Sequence, residues 1–289
     1  MRKASELRKE HAKRHRRASR RIAAAIRPFF IAQTQWILDG ISVTEPLTPE
    51  SIGIGFDVGK ATEDLLGRLA VLELIAEESA EAVFAQFSQP VKLEQKLFGW
   101  IKDVIKRAIG LVLGADWWPD VASGGVKAAK DIIAKTIAKS GPIPIEDIPK
   151  VKAKLGTKLR KIARHRVKTI AEAEANGAIN AGASAAGEAV SQTTGLGDGE
   201  RVAGDTGETV DRKFWITMLD ERVRGAHSVL HKTGVPVGSD FNVGGYPAPH
   251  PGYAMLPIGL RIHCRCFLTF QGVEEDLDFP LPDEVRVTV

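Results

Sequence analysis

The sequence predicts an α+β fold: an extended, mostly helical N-terminal region followed by a small α+β C-terminal module with irregular Pro/Gly-rich loops. Two observations predict it. Apolar residues recur at helical spacing through most of residues 4–191, whereas residues 212–270 hold short runs of β-forming residues separated by Pro and Gly. No apolar run approaches the roughly 20 residues that span a bilayer, so we expect no stable membrane insertion.

The first predicted helix runs from Ala4 to about Leu38, since Gly40 is a natural stop. Its apolar stripe for packing lies only in the second half, from Ile22 onward. The first half forms a basic arm, which we expect to contact nucleic acid or an acidic partner; the alternative is an exposed helix whose charges are merely solvated. The candidate nucleic-acid-binding residues are Arg8, Lys9, Lys13, Arg14, Arg16, Arg17, Arg20 and Arg21.

Four more helices are predicted in the N-terminal region. The second of them places Trp100 beside Lys and Arg and so also fits a membrane-surface helix, although its neighbours need an apolar partner and therefore favour core packing. A turn is predicted at Trp117–Pro119, before the third. The four predicted ranges are 60–87, 93–113, 126–140 and 149–191.

The last of these helices changes character along its length. Residues 148–171 contain nine Lys or Arg and no acid, whereas Ala, Gly and small polar residues dominate from Ala171 onward. Small side chains allow helices to approach one another closely. Each Gly within a helix costs about 1 kcal/mol relative to Ala, so we expect the second half to depend on tertiary or quaternary contacts. A frayed linker is the alternative.

Composition divides the chain into four parts. A helical region covers residues 1–194, a flexible Gly-rich linker 195–211, the C-terminal module 212–272 and an acidic tail 273–289. Positive charge is concentrated in the first helix and negative charge in the tail. This distribution suggests contacts with a polyanion and with a differently charged partner.

Within the module, Phe214–Met218 is predicted to be a strand, and Asp220 to cap a helix that runs to about His231. Residues 236–261 are rich in Pro and Gly and predict an ordered, irregular loop without a regular sheet or helix. Residues 262–270 alternate in polarity and predict a second strand.

The two cysteines, Cys264 and Cys266, are separated by one residue. In an extended strand they lie about 6.8 Å apart, near the limit of a disulfide, so we expect no bridge between them. One interpretation makes both of them small buried residues beside a hydrogen-bonded core His227, with no cofactor. The alternative is a Cys₂His₂ zinc site with His227 and His231, in which His250 could replace His231.

Catalysis has one candidate arrangement, a thiol–imidazole pair of His227 and a cysteine, oriented by Asp220. Cysteines buried on an apolar strand face would be inert thiols. The sequence contains no recognisable Gly-rich phosphate loop, nucleophile elbow or paired-carboxylate motif. We therefore expect a protein that is not an enzyme.

Three separated elements carry a resemblance to a known family. They are Asp220 with Arg222 and Arg224, then His227 followed by an apolar residue and a Gly, and finally Cys264–Arg265–Cys266. In this order they resemble the C-terminal module of the phage Mu F-like head morphogenesis (minor capsid) family, over roughly a fifth of the chain. The long loop before Cys264, and His263 in place of an Asn, depart from the family's pattern.

The resemblance implies a minor head protein inside the phage capsid, near the portal vertex, after assembly in the host cytoplasm. Its expected partners are then the portal protein, capsid or scaffold proteins, packaged double-stranded DNA and further copies of the same chain. Two alternatives stay open. One is a nucleic-acid-binding protein without sequence specificity or viral role, on the strength of the basic helices. The other is a His/Cys-dependent enzyme or toxin.

Overall fold

A computed structural model describes residues 2–85, 95–193, 212–220, 223–270 and 273–274. The predicted linker at 195–211, Arg222 and the acidic tail beyond Glu274 lie outside these residues. Within them the chain is mostly helical up to Thr193 and forms short strands and helices after Arg212, so the predicted α+β class is confirmed.

The chain forms two compact units, each assembled from separate stretches of sequence. The first unit draws on residues 1–20, 72–112 and 171–289, and the second on residues 21–71 and 113–170. The sequence predicts a linear division instead, with limits at 194, 211 and 272. That division stays a prediction, because those three positions lie outside the described residues.

The first two thirds of the chain contain six α-helices among the described residues. The first and the last of them are long, and in each of these two helices one half belongs to the first unit and the other half to the second. The helices are α1 (Ala4–Asp39), α2 (Val58–Arg68), α3 (Val71–Phe84), α4 (Gln95–Leu113), α5 (Trp118–Ser140) and α6 (Ile148–Thr193).

The predicted single helix at 60–87 is wrong, because the structure divides it into α2 and α3. Leu69 ends α2 with a tightened turn, in which its N–H donates to the Leu66 carbonyl at 2.9 Å. Leu65, Leu69 and Leu72 are all buried on either side of this break. Apolar spacing therefore continues through the break and could not reveal it.

The turn predicted at Trp117–Pro119 lies slightly earlier, at Ala115–Trp118, where the Trp118 N–H donates to the Ala115 carbonyl at 3.4 Å. The predicted start of the next helix is wrong, because α5 begins at Trp118, eight residues before it. Pro119 lies in the first helical turn, where the missing N–H of proline has no intrahelical partner to lose. Trp118 is fully buried and anchors this end of α5.

The second unit has a core of aliphatic side chains from the second half of α1, the loop that follows it, α5 and the first half of α6. Gly53 in the loop has a φ of +79°, and a side chain there would collide with Val126 of α5. The buried residues of this core are Ile37, Leu38, Ile41, Leu47, Ile52, Val126, Ala129, Ile133, Ile143, Ile148, Leu155 and Leu159.

In the first unit, the first half of α1 packs against a small sheet, which contradicts the prediction that only the second half of α1 packs. Leu7 forms a cluster with Ile216 and Phe267, and the His11 ring stacks on Phe267 at 4.7 Å between centroids. The buried face of this half includes two histidines, His11 and His15, which a count of apolar residues leaves out.

The sheet of the first unit has the strand order β3–β2–β6, with both pairs antiparallel. The predicted strand at 214–218 is β2 (Arg212–Ile216), paired with β3 (Gly234–Pro236) and β6 (Phe267–Thr269). The second predicted strand is shorter than expected, because His263 adopts a φ of +57° and breaks the extended chain before Phe267.

Residues 236–261 contain regular structure after all, contrary to the prediction. A hairpin joins β4 (Phe241–Val243) to β5 (Tyr246–Ala248) through Gly244 and Gly245, both with positive φ. A short helix, α8 (Ile258–Arg261), follows. The strands contain only three residues each, which is too short for an alternating pattern to show in the sequence.

The second half of α6 belongs to the first unit and is buried on almost every side. Its three central glycines lie where other parts of the chain come close. A Cβ at Gly182 would lie 1.9 Å from the Ala76 carbonyl oxygen of α3, and one at Gly187 would lie 2.0 Å from the Phe270 ring. At Gly177 it would lie 3.0 Å from the Gly252 carbonyl oxygen. The structure thus provides the close tertiary contacts that the small residues predict.

The remaining elements complete the first unit. In α4, Ile101, Ile105 and Ile109 are buried and Trp100 is half-buried, as core packing requires. A two-residue strand at Arg2–Lys3 (β1) pairs in parallel with Val273–Glu274 (β7). Within the described residues, none of the helices has the length and apolar character needed to cross a membrane.

Candidate functional site

The motif residues that the structure describes come together beside the small sheet of the first unit. Two chain segments carry them: the segment from Asp220 through α7 (Gly225–Ser228), and the segment from Ile262 to Cys266 that leads into β6. We call the pair of segments the clasp. It consists of Asp220, Arg224, His227, Cys264, Arg265 and Cys266; Arg222 lies outside the described residues.

Two arginines join the segments of the clasp. Arg265 contacts the Asp220 carboxylate at 2.5 Å (Nη2 to Oδ2), in a partly exposed ion pair. Arg224 donates a hydrogen bond to the Ile262 carbonyl. The prediction that Asp220 caps a long helix is wrong: α7 begins at Gly225, Arg224 is its N-cap residue, and Asp220 binds Arg265 instead.

At the centre of the clasp, His227 lies between the two cysteines. Its Nδ1 atom is 3.6 Å from the Sγ of Cys264 and 3.6 Å from the Sγ of Cys266. All three side chains are buried, and their ligand atoms lie within 4.8 Å of one another. The Trp215 ring packs against the His227 imidazole edge-to-face at 5.6 Å. This cluster could hold a metal ion.

The two thiols are not equivalent, and neither forms a disulfide. A hydrogen bond from the Cys266 thiol holds the pKa of Cys264 well below its usual range, and the His227 imidazole acts in the same direction. The same hydrogen bond, followed by burial, raises the pKa of Cys266. Cys264 is therefore the thiol that ionises first, facing an imidazole.

The predicted Cys₂His₂ ligand set is wrong in its fourth member. The Nδ1 of His231 accepts a hydrogen bond from the backbone N–H of Thr217 at 3.1 Å, and the Thr217 hydroxyl lies at the same distance. His250 is buried elsewhere, with Nδ1 3.0 Å from the Pro251 carbonyl oxygen and the Tyr253 ring against it. Burial lowers the pKa of His250 to about 4. The metal-ligand cluster found among the described residues contains His227, Cys264 and Cys266.

Three side chains that the motif does not include hold the clasp onto α6. The Glu174 carboxylate accepts a hydrogen bond from Arg261 of α8 in an ion pair whose two side chains are 3% and 2% exposed. Asn180 donates to the Cys266 carbonyl at 3.1 Å and accepts from the Leu268 N–H at 3.0 Å. For Glu174 and Asn180 the sequence signal is a polar side chain within a run of small ones.

The basic face of α1 differs from its prediction at one residue. Arg8 is buried, and its Nε donates to the Thr217 carbonyl at 3.1 Å, so Arg8 supports the module and is not available to nucleic acid. Arg14 and Arg21 are half-buried. The remaining five cations are exposed and follow one side of the helix, opposite the buried face. We call them the α1 stripe: Lys9, Lys13, Arg16, Arg17 and Arg20.

In the second unit, the first half of α6 exposes a comparable row of cations. Lys150, Lys154, Lys158 and Lys161 recur at helical spacing on its exposed side. Arg166, by contrast, is turned inward: it donates to the Val121 carbonyl, and burial lowers its pKa to about 10.

Comparison of the chain with protein-family models, with curated proteins and with solved structures finds no match.

Proposed function

We propose that the chain is a phage minor head protein that takes part in head morphogenesis, inside the capsid near the portal, and that it contacts packaged double-stranded DNA. One observation carries the proposal. The motif elements that resemble the Mu F-like family are about 40 residues apart in sequence, yet Asp220 and Arg265 pair directly, as do His227 and the two cysteines. A motif whose residues bind one another is suited to an architectural role.

The clasp performs no chemistry in this role. It fixes α7 to the segment before β6, and Arg8, Glu174 and Asn180 attach that assembly to the two long helices. Zinc is the metal that we propose for the His227, Cys264 and Cys266 cluster. Portal, capsid or scaffold proteins are the proposed partners, together with further copies of the chain.

The α1 stripe is the proposed contact with DNA. Its five cations extend over twelve residues of helix, or about 17 Å, enough to face several phosphates of one backbone strand. Beside the stripe, Glu10 forms an ion pair with the half-buried Arg14 at 3.9 Å, on the same helix. Contacts of this kind attract DNA irrespective of its sequence.

The test is DNA binding as a function of salt, because each phosphate contact contributes about 0.9 to the slope of log K against log salt concentration. We expect the triple variant R16Q/R17Q/R20Q to lower that slope by about 3 and to weaken binding at about 50 mM salt by at least tenfold. The matched control is K130Q/K135Q/K139Q, three exposed lysines of α5, which should leave both values unchanged.

Truncation of residues 1–27 is unsuitable as a test, because it also removes Leu7, Arg8 and His11, which pack on the module. Equal affinity of the R16Q/R17Q/R20Q variant and the wild type would show that the α1 stripe is not the DNA contact.

The exposed cations also favour one other function, that of a nucleic-acid-binding protein without a viral role. The location of the protein distinguishes these two functions. A minor head protein is encoded beside portal and scaffold genes and sediments with heads assembled from those genes. A chain that binds DNA with the expected salt dependence but stays out of such heads would support the second function.

A further inference from the structure

We infer that His227 Nδ1, Cys264 Sγ and Cys266 Sγ form a three-ligand zinc site whose fourth coordination position is left to a water molecule or a small exogenous ligand. The inference rests on the zinc proposed above. It adds the number of protein ligands, the atom of the imidazole that binds and the open position.

The distances fit tetrahedral zinc. With Zn–S bonds of about 2.3 Å and a Zn–N bond of about 2.05 Å, a tetrahedral angle separates sulfur from nitrogen by about 3.6 Å. Both Sγ–Nδ1 distances in the clasp are 3.6 Å. A zinc ion can therefore bind Nδ1 and either sulfur at tetrahedral separation; with both sulfur atoms bound, their separation, now within 4.8 Å, would be about 3.8 Å.

The two cysteines present their sulfur atoms to the same imidazole although one residue separates them. In an extended chain, residues i and i+2 point to the same side, with Cα atoms about 6.8 Å apart. In the clasp the two sulfur atoms lie within 4.8 Å of each other, and each is 3.6 Å from His227 Nδ1. A turn at His263, with its φ of +57°, precedes this segment.

The chemistry of the donors selects the class of metal. Two sulfur ligands and one imidazole suit zinc, whereas magnesium and calcium require oxygen ligands. The cluster is also fully buried, so its polar atoms need partners. The ring nitrogen of His227 that faces both sulfur atoms is Nδ1. The other ring nitrogen, Nε2, is buried and has no hydrogen bond among the described residues.

A small cavity provides the fourth position. It has a volume of about 10 Å³ and is lined by all three ligands together with Met218, Val223, Arg224, His263 and Arg265. A space of this size accommodates one water molecule. The two arginines that line it are engaged by the Ile262 carbonyl and by Asp220, and Nδ1 of His263 lies 3.3 Å from the Glu172 carboxylate. His231 and His250 are held by other partners.

The experiment uses the full chain, purified under reducing conditions, stripped of metal and then reconstituted with zinc. We expect one equivalent of zinc per chain and a rise in the midpoint of thermal unfolding when zinc is added. C264S and C266S should each weaken zinc binding by about a hundredfold or more and abolish the rise. The matched controls are H231Q and H250Q, which should retain one equivalent with unchanged affinity.

Cobalt(II) reports on the coordination in the wild type, even if the cysteine variants do not fold. We expect a sulfur-to-cobalt charge-transfer band, intense visible bands of a tetrahedral site, and a shift of those bands on addition of azide, which would enter the open position. The H231Q protein should give the same spectrum.

The outcomes separate the inference from the proposals beneath it. Less than a tenth of an equivalent of zinc after reconstitution overturns both the zinc proposal and the inference. Loss of zinc in H231Q or H250Q, or cobalt bands that azide leaves unmoved, shows a closed site with four protein ligands and overturns the inference alone. None of these results alters the salt dependence of DNA binding, which tests the phage role separately.

Discussion

The two halves of α6 share one continuous backbone but differ in what surrounds them. In the first half, residues 148–170, one apolar face is buried and the cations on the other sides are exposed. In the second half, residues 171–193, almost every described side chain is buried, including Glu174, Asn176 and Asn180. Side-chain size accounts for the difference, because Ala and Gly allow backbones to approach from several directions at once.

In the enclosed half, the structure supplies specific partners for two buried polar residues: Arg261 for Glu174, and the Cys266 carbonyl and Leu268 N–H for Asn180. In the first half, water solvates exposed cations such as Lys154 and Lys158, and the inward-facing Arg166 is the exception, with the Val121 carbonyl as its partner. In the second half, a change of one group leaves another group buried without compensation. Substitutions in the two halves should therefore have very different effects on stability.

The largest effect is expected for a change at Glu174. Burial raises the pKa of its carboxyl group, and the positive charge of Arg261 acts in the opposite direction. The variant E174A leaves the Arg261 guanidinium buried without its carboxylate and should lower the free energy of unfolding by about 3–5 kcal/mol. Urea denaturation followed by circular dichroism measures this. The double variant E174L/R261L should recover much of the loss. D64A, which removes an exposed pair with Arg68, should cost less than about 1 kcal/mol. A loss for E174A as small as that for D64A would contradict the argument.

A smaller loss is expected for G182A. Its new methyl group would meet the backbone of α3 at Ala76, which cannot move as a side chain can, so we expect a loss of about 1–3 kcal/mol in the free energy of unfolding. The matched control is G110A in α4, where the added methyl group has no neighbour within 4 Å and should stabilise by up to about 1 kcal/mol. Equal effects in the two variants would show that α6 and α3 are not as close as described.

Acid should weaken the unit that contains the second half of α6. Burial, followed by the charge of His15, lowers the pKa of His11 to about 3, and burial lowers that of His250 to about 4. Between these values and the unfolded value near 6.5, the unfolded chain binds more protons, so stability falls as the pH falls. The slope approaches about 1.4 kcal/mol per pH unit for each group.

Glu174 opposes this trend, because its raised pKa makes the folded state bind its proton more readily. The measurement is therefore a difference: the stability of wild type and H11F is compared from pH 7 to pH 5. The H11F variant keeps a ring to stack on Phe267 and should show the shallower loss. Parallel curves would exclude His11 as a source of acid sensitivity.

The smallest effect is expected in the first half of α6. The triple variant K154Q/K158Q/K161Q changes three exposed side chains and should alter the free energy of unfolding by no more than about 0.5 kcal/mol per substitution. The same urea titration measures it. A loss well above about 1.5 kcal/mol for the triple variant would mean that these cations have partners in the folded chain and would remove the contrast between the halves.

The sequence predicts α1, α6 and the pairing of the motif segments, since long helices repeat one pattern many times and the motif residues are chemically distinctive. It misses the break between α2 and α3, where Leu65, Leu69 and Leu72 keep helical spacing across the interruption. It also misses the buried face of the first half of α1, which contains His11 and His15, because histidine occurs both in protein cores and at protein surfaces.

At the clasp, the sequence identifies His227, Cys264 and Cys266 but cannot separate their arrangement from one that includes His231. His227 and His231 are four residues apart and would share a face of a regular helix. The chain leaves the α7 helix after Ser228, and a hydrogen bond to Thr217 turns His231 away. Long-range contacts of this kind have no local signature.

The amide of Asn180 also decides where another polypeptide could extend the small sheet. Among the described residues β6 is an outer strand, and the backbone groups on either side of Phe267, the Cys266 carbonyl and the Leu268 N–H, both bond to this one side chain. An incoming strand would have to displace it, so β6 is closed to strand addition and to the aggregation that open sheet edges invite. Strand addition to this sheet is therefore expected at β3, the other outer strand among the described residues.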